Sequence, residues 1–273
     1  MKPVIREAKP EDRPFIEEIA RLTWGGEDYL TRVFESWVKD GHFYVLELEG
    51  KVIGTAKLTL LPDKVGWLEG LRVHPDYRGR GFGRMIQNFM LQKGEELAKE
   101  GLINALEFST YFLNKESIAM AKKDGFKIVK RYYIMGKAVE EIKPSKPSDS
   151  TIASLEELEY EEYIPVGWKF VHKVPEALDW LRRKAIIKEC NGAKFMMPKD
   201  SESAFVPFRL SKPYVEQLLP CMGYEASNAN QKYIEIMVPE ERKELLEPLR
   251  EFGFEVWDNP QEPNVMVFRK PLV

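Results

Sequence analysis

Cysteine is nearly missing from this chain: of 273 residues only Cys190 and Cys221 are cysteines, and their spacing matches no metal motif. So sparse a usage fits a reducing cytoplasm. Histidine is as scarce: three occur, His42, His74 and His172, each isolated in the sequence, so no metal site is expected. No apolar run approaches the ~20 residues that cross a bilayer, and the first residues, Met1–Glu7, are charged and lack the apolar core of a signal peptide. A cytoplasmic protein with no membrane partner is the expectation. An excess of basic charge is absent too. Lys and Arg total 41 against 44 Asp and Glu, net −3, which leaves no electrostatic footprint for nucleic acid.

What is present is a globular composition, with 44% hydrophobic and 12% aromatic residues. The length fits one large core or two ordinary ones. The first half alternates strand and helix patterns. Strands are expected at Val4–Ala8, His42–Leu48, Val52–Leu61, Val65–Val73, Leu102–Thr110 and Phe126–Gly136. Helices are expected at Glu11–Leu22, Asp28–Val38, Phe82–Lys99 and Lys115–Asp124. Residues 141–150, with two prolines, three serines and little apolar content, read as a linker. The division is then 1–140, a linker at 141–150, and a second α/β part at 151–273. That second part ends as the first does, with strand, helix, Gly-Phe (Gly125-Phe126 and Gly253-Phe254) and strand, which suggests a weak internal repeat.

The strongest chemical signal is Tyr77-Arg78-Gly79-Arg80-Gly81-Phe82-Gly83-Arg84, between an apolar strand and a long helix. Glycines let backbone N–H groups turn inward, and the helix N-terminus adds partial positive charge, so the turn makes a phosphate-binding nest. Arg78, Arg80 and Arg84 add full charges. Counting from Gly79, the last glycine of a Rossmann fingerprint is replaced by Arg84, and a Walker loop's Gly-Lys-Ser/Thr is absent. What remains is R-x-x-G-x-G, met by Arg78, Gly81 and Gly83.

This motif resembles the acetyl-coenzyme A pyrophosphate loop of the GNAT acyltransferases. Leu71-Arg72-Val73-His74-Pro75-Asp76-Tyr77 before it resembles that family's fourth strand, and Asn114 followed by Gly125-Phe126 resembles its later "N…GF" signature. The resemblance covers about residues 3–137. It implies an α/β (α+β) GNAT fold, a mixed central sheet flanked by helices, followed by a smaller second α/β domain of GNAT-like topology, degenerate at the coenzyme site. It also implies an N-acetyltransferase that uses acetyl-coenzyme A as donor, without a metal. In that family the backbone N–H groups of Arg80 to Arg84 would hold the pyrophosphate, with Arg78 and Gly79 in the same cofactor-binding loop. The strand around Leu71, Arg72 and Val73 would pair with the pantetheine arm, and Asn114 would contact the coenzyme.

Direct attack on a thioester needs a neutral amine, so a base is useful. Glu69, two residues before Leu71, is the candidate; the alternative is a strand glutamate paired with Arg72 or another cation. Many GNAT enzymes carry a tyrosine four residues before the glycine of "GF"; this chain has Ala121 there, with Tyr111, Tyr132 and Tyr133 nearby in sequence. The segment Thr23-Trp24-Gly25-Gly26-Glu27-Asp28-Tyr29-Leu30, with Phe34 and Trp37, resembles the histidine N-acetyltransferase branch, as does Glu69–Val73. On that resemblance Glu27 or Asp28 would hold the substrate amine and Trp24 or Tyr29 would wall its pocket; the alternative is a capped helix start. The acceptor expected is a small amine such as a free amino acid. A protein N-terminus or lysine, or a catalytically silent acetyl-coenzyme A sensor, stays open, as does the choice between monomer and homodimer. His74 is expected to shape the loop.

Overall fold

Strand β1 (Val4–Glu7) is antiparallel to β2 (Phe43–Leu48), with Val4 opposite Glu47 and Glu7 opposite Tyr44. The computed structural model describes residues 2–26, 28–199 and 204–272, and these form two units, residues 1–108 with 269–273, and residues 109–268.

In the first unit a 3-10 turn at Pro10–Asp12 leads into α1 (Arg13–Arg21), where the sequence pattern predicts one helix from Glu11. Helix α2 (Leu30–Asp40) follows, and Gly41 ends it at φ 76°, a left-handed conformation that glycine adopts without steric cost. Strands β3 (Lys51–Leu60) and β4 (Val65–Val73), helix α3 (Phe82–Lys99) and strand β5 (Ala105–Tyr111) come next, with strand order β1-β2-β3-β4-β5. The first four strands run antiparallel to their neighbours, and β5 is parallel to β4, as expected for a mixed sheet.

Alternation along β2 sorts its side chains between two faces. Phe43 and Val45 enter the core that Ile16 and Ile19 of α1 share with Val33, Phe34 and Trp37 of α2. Tyr44, between them, meets Phe89 of α3 with ring centres 4.9 Å apart. The sheet therefore carries α1 and α2 on one face and α3 on the other. Two glycines allow α3 to lie close: a Cβ on Gly54 would stand 2.7 Å from Ile86, and one on Gly94 would stand 2.6 Å from Leu106.

The second unit begins within β5. Helix α4 (Lys115–Lys123) and strand β6 (Lys127–Ala138) follow. Next come β7 (Ser148–Asp149), β8 (Tyr163–Val166), β9 (Lys169–His172) and helix α5 (Ala177–Lys184). Strands β10 (Ala185–Cys190), β11 (Ala193–Pro198) and β12 (Val206–Pro207) precede helix α6 (Lys212–Asn228). Strand β13 (Tyr233–Pro239) leads to a 3-10 turn over Glu240–Leu245, helix α7 (Leu246–Arg250), and strands β14 (Glu255–Val256) and β15 (Val265–Pro271), the last of which ends in the first unit. The sequence pattern predicts one helix over Pro239–Phe252; Arg242, at φ −109° and ψ 27°, breaks it.

Within this unit β6 lies beside β13, β14 and β15; β12-β11-β10-β7 form a second sheet, and β8 and β9 a hairpin. Residues 141–150, expected as a linker, supply β7. Pro147 in this segment is buried, and Ile142 packs where a Cβ on Gly223 of α6 would stand, 2.7 Å away.

The Gly-Phe repeat has a structural counterpart. After α4 the Gly125 N–H donates to Lys122 O at 3.2 Å and Phe126 N–H to Ala121 O at 3.0 Å. After α7 the Gly253 N–H donates to Arg250 O at 2.8 Å and Phe254 N–H to Leu249 O at 3.2 Å. Both glycines sit at φ 80°, and both phenylalanines are buried. Each pair is the same helix stop, which frees the chain to enter β6 or β14.

One sequence expectation needs correction. Cys190, at the end of β10, and Cys221, on α6, are joined in a disulfide with Cα atoms 6.1 Å apart. Disulfides persist in oxidising compartments and inside some heat-loving organisms, so the cysteines supply no argument for a reducing cytoplasm. Among the described residues no helix is long and apolar enough to cross a membrane.

Candidate active site

The centre of the first unit's chemistry is an irregularity in β4. Thr55 faces Arg72 and Lys57 faces Glu69, so the single β3 residue Ala56 lies opposite both Gly70 and Leu71. This is a β-bulge, which leaves its extra residue outside the ladder and re-aims the strand. Gly70 adopts φ 66° to form it. The bulge is held by side chains: Thr55 Oγ1 donates to Gly70 O at 2.7 Å, and Arg72 Nη1 donates to Leu71 O at 3.0 Å. On the other edge, β4 pairs with β5 over Val65–Trp67, and among the described residues that pairing does not reach Glu69–Val73.

Glu69 lies just before the bulge, partly exposed, and its Oε1 accepts a 2.6 Å hydrogen bond from Thr59 Oγ1. Arg72 pairs with Asp28, Nε to Oδ2 at 2.7 Å, with the Asp28 side chain fully buried. The Asp28 Oδ1 accepts the Leu30 N–H at 3.1 Å, so this carboxylate caps α2 as well. The Arg72 guanidinium lies 4.2 Å from the Trp24 ring centre and 5.7 Å from that of Tyr29. Burial pushes the Tyr29 phenol well above its ordinary range; Arg72 opposes that shift while Glu69 and Asp28 add to it. Tyr29 is therefore a neutral hydroxyl at physiological pH. Trp24 itself is 63% exposed.

Four of the sequence candidates thus come together around Arg72, which sequence reasoning placed on the coenzyme strand rather than under the acceptor loop: Asp28, Tyr29, Trp24 and, through Tyr29, Glu69. Glu27 lies outside the described residues. Both Asp28 oxygens already have a partner within the protein, which matches the capped helix start that the sequence offered as the alternative to a substrate contact. The missed signal was Gly70 itself, since an isolated glycine inside a strand marks a bulge or a close approach.

Beyond β4, His74 is 2% exposed and shapes the loop as expected. Its Nδ1 accepts the Asp76 N–H at 3.3 Å, which puts the proton on Nε2, 3.3 Å from Glu18 Oε1. Arg78 Nε donates to Val73 O at 3.0 Å and ties the loop to the strand end. Gly79 and Gly81 take φ 73° and 82°, and a Cβ on either would meet nothing within 4 Å. Gly81 caps α3, whose Met85 N–H is bonded back to Gly81 O at 3.0 Å. The first N–H groups of α3, around Phe82 and Gly83, have no intrahelical acceptor. They face a loop that carries the exposed Arg78 and Arg80, with Arg84 on the helix's first turn.

Asn114 belongs to the second unit, where its Oδ1 accepts the Ser117 N–H at 3.2 Å and caps α4. Ala121 is buried in α4, and the Tyr111 hydroxyl donates to Asp258 at 2.7 Å. Among the described residues no group of three or more His, Cys, Asp or Glu side chains is placed to hold a metal ion.

The family profile described as "Acetyltransferase (GNAT) family" matches residues 12–126, from Asp12 ahead of α1 to Phe126 after α4. This segment is a GNAT acetyltransferase domain. A histidine N-acetyltransferase of Xenopus tropicalis is 25% identical to the chain over 197 residues, 62% of this chain and 61% of that protein. The matched region thus spans about three fifths of that relative's length. An acetyltransferase-class structure from Thermoplasma acidophilum is 21% identical, with a TM-score of 0.62 over 98% of this chain and 99% of that one. A GCN5-related N-acetyltransferase from Sphaerobacter thermophilus is 14% identical, with a TM-score of 0.64 over 99% and 96% of the two chains. The fold of the whole chain, beyond its GNAT domain, is therefore shared with solved structures.

Proposed function

We propose that the chain transfers an acetyl group from acetyl-coenzyme A to a primary amine, with a free amino acid or similar small amine as acceptor. The observation that carries this reading is the turn from Arg78 to Gly83. Its glycines leave open space above the backbone, and the N-terminus of α3 and three arginines surround it with positive charge. A coenzyme pyrophosphate on those N–H groups would direct the pantetheine arm along β4. There the bulge at Gly70 and Leu71, and the part of β4 beyond its Val65–Trp67 pairing with β5, offer backbone groups to it.

On this reading the acceptor amine loses a proton, directly or through water, to Glu69, whose carboxylate is oriented by Thr59. The neutral nitrogen attacks the thioester carbonyl, and a backbone N–H of the bulged strand stabilises the oxyanion. Collapse breaks the C–S bond, and the second proton of the attacking nitrogen passes through water to the departing thiolate, leaving the neutral amide and free thiol. Arg72, held by Asp28, forms the floor beneath Trp24 and Tyr29, where the acceptor would lie. Similarity to a histidine N-acetyltransferase supports a free amino acid as acceptor. The acetyltransferase part is the segment 1–140, with 151–273 as a second α/β part.

The test is thiol release from acetyl-coenzyme A by the full chain with a panel of free amino acids, polyamines and peptides, alongside calorimetric titration with coenzyme A. Turnover with at least one free amino acid is expected. Coenzyme A binding without turnover on any amine would support a silent sensor instead, and no heat with coenzyme A would remove the reading altogether.

A further inference from the structure

The second unit encloses a cavity of about 380 Å³ between β6, the chain entering β8, and the turn after β13. That volume suits a small organic molecule. Every residue lining it follows Phe126, so it lies outside the GNAT family match.

Its cations are already satisfied. Lys130 pairs with Glu241 at 2.9 Å, and Lys173 Nζ donates to Leu158 O at 2.8 Å. Arg242 donates to Glu244 at 2.8 Å, to Leu210 O at 2.8 Å and to Glu159 at 3.4 Å. Two carboxylates are left over: Glu161 and Glu162 line the cavity, are exposed, and pair with no cation among the described residues. A third polar group is unsatisfied in a more costly way. Tyr132 is fully buried, its ring 4.6 Å from that of Phe170, and its hydroxyl has no hydrogen-bond partner among the described residues. Buried hydroxyls are nearly always hydrogen-bonded, and an exception points to a missing partner. Tyr132 is one of the residues that line the cavity. Burial first, then Tyr160, Glu241, Tyr163 and Glu162, hold it well above the ordinary phenol range, and all four of those residues line the same space.

We propose that this cavity binds a small organic ammonium compound with a hydroxyl or carbonyl oxygen at its other end. The ammonium faces Glu161 and Glu162, and the oxygen accepts a hydrogen bond from Tyr132. The aromatic rings of Tyr132, Tyr160 and Tyr163 and the side chains of Leu158 and Pro239 cover the aliphatic part. The chain would then carry a small-molecule site in its second unit, besides the acetyl-transfer site of the first.

The test is an NMR titration of the full chain with 5-aminopentan-1-ol, against pentylamine, which lacks the oxygen, and pentan-1-ol, which lacks the charge. Saturable shifts at residues of the cavity with a Kd near 1 mM are expected for the amino alcohol. Each control should bind about fivefold more weakly, the worth of one hydrogen bond or one exposed charge contact. Tyr132→Phe should abolish the advantage over pentylamine, and the surface change Glu162→Gln should reduce the advantage over pentanol. No saturable shift up to about 50 mM, or equal binding of the three compounds, overturns the proposal.

Discussion

Gly70 of β4 lies against the edge of the Trp37 ring so closely that a Cβ on it would stand 2.5 Å from Trp37 Cζ3. Its φ of 66° is also one that residues with a Cβ rarely adopt. Gly70→Ala therefore has two penalties, backbone strain and overpacking, and should lower stability by about 2–4 kcal/mol in urea unfolding. Because the bulge positions Leu71, the loss of turnover in the folded fraction should exceed the loss of folded protein. A variant as stable as the parent would show that the bulge is not held as described.

Asp28 and Arg72 form a pair with side-chain exposures of 0% and 13%, and removal of one partner leaves an uncompensated charge. Asp28→Ala should cost about 3 kcal/mol, since it also removes the acceptor for the Leu30 N–H. Asp28→Asn keeps that acceptor and should cost less. Equal stabilities for the two variants would indicate that the acceptor for the Leu30 N–H contributes nothing and that the whole cost lies in the lost charge.

Glu69→Gln keeps an acceptor for the Thr59 hydrogen bond and removes the proposed base. Turnover with an amine acceptor should fall about a hundredfold, the lower end of the range for general base catalysis, while coenzyme A affinity stays unchanged. Turnover equal to the parent's across about pH 6–9 would remove Glu69 from the mechanism.

Asp12 gives the acid limb a defined sign. Burial alone would raise its pKa, but hydrogen bonds from Arg6 and the Lys9 N–H outweigh that and hold it below the usual carboxylate value. A depressed folded pKa contributes stability above the unfolded value of about 3.9 and loses it as pH falls through the folded value. Asp12→Asn should thus be destabilising at pH 7 and approach the parent as pH falls through the folded value of Asp12. A difference that persists at the lowest pH would assign the effect to packing.

Cys190 and Cys221 close a loop of sequence separation 31. In the chain-entropy account such a crosslink restricts the unfolded chain and contributes about 3–4 kcal/mol. Reduction, or Cys190→Ser with Cys221→Ser, should lower Tm by several degrees, and denatured unreduced protein should show no free thiol. Two titratable thiols in purified protein would mean that the pair is open in solution.

Much of the first unit was legible because its signals are local. Alternation marks β2 to β4, the 3.6-residue period marks α1 to α3, and Phe82–Lys99 has the bounds the sequence pattern predicts. The coenzyme-type loop was legible because its function requires glycines and arginines at fixed steps along the chain. The repeated Gly-Phe helix stop is equally local. The 3-10 turn at Glu240–Leu245 was hidden because helix propensity there competes with the tertiary setting of β13 and α7.

Long-range pairing was not legible. That Arg72 meets Asp28, that Thr59 holds Glu69, and that Cys190 meets Cys221 depend on residues distant in sequence meeting across strands and helices. Composition and period carry no record of which partner wins when several charges lie within reach. The sequence by itself determined the order of elements and the chemistry of the arginine–glycine turn, since both follow from backbone conformations available to each residue in turn. The bulge at Gly70, the engaged state of Asp28 and the unsatisfied Tyr132 hydroxyl were decided only by tertiary packing, which sets the distances and burial on which hydrogen bonds and charge depend.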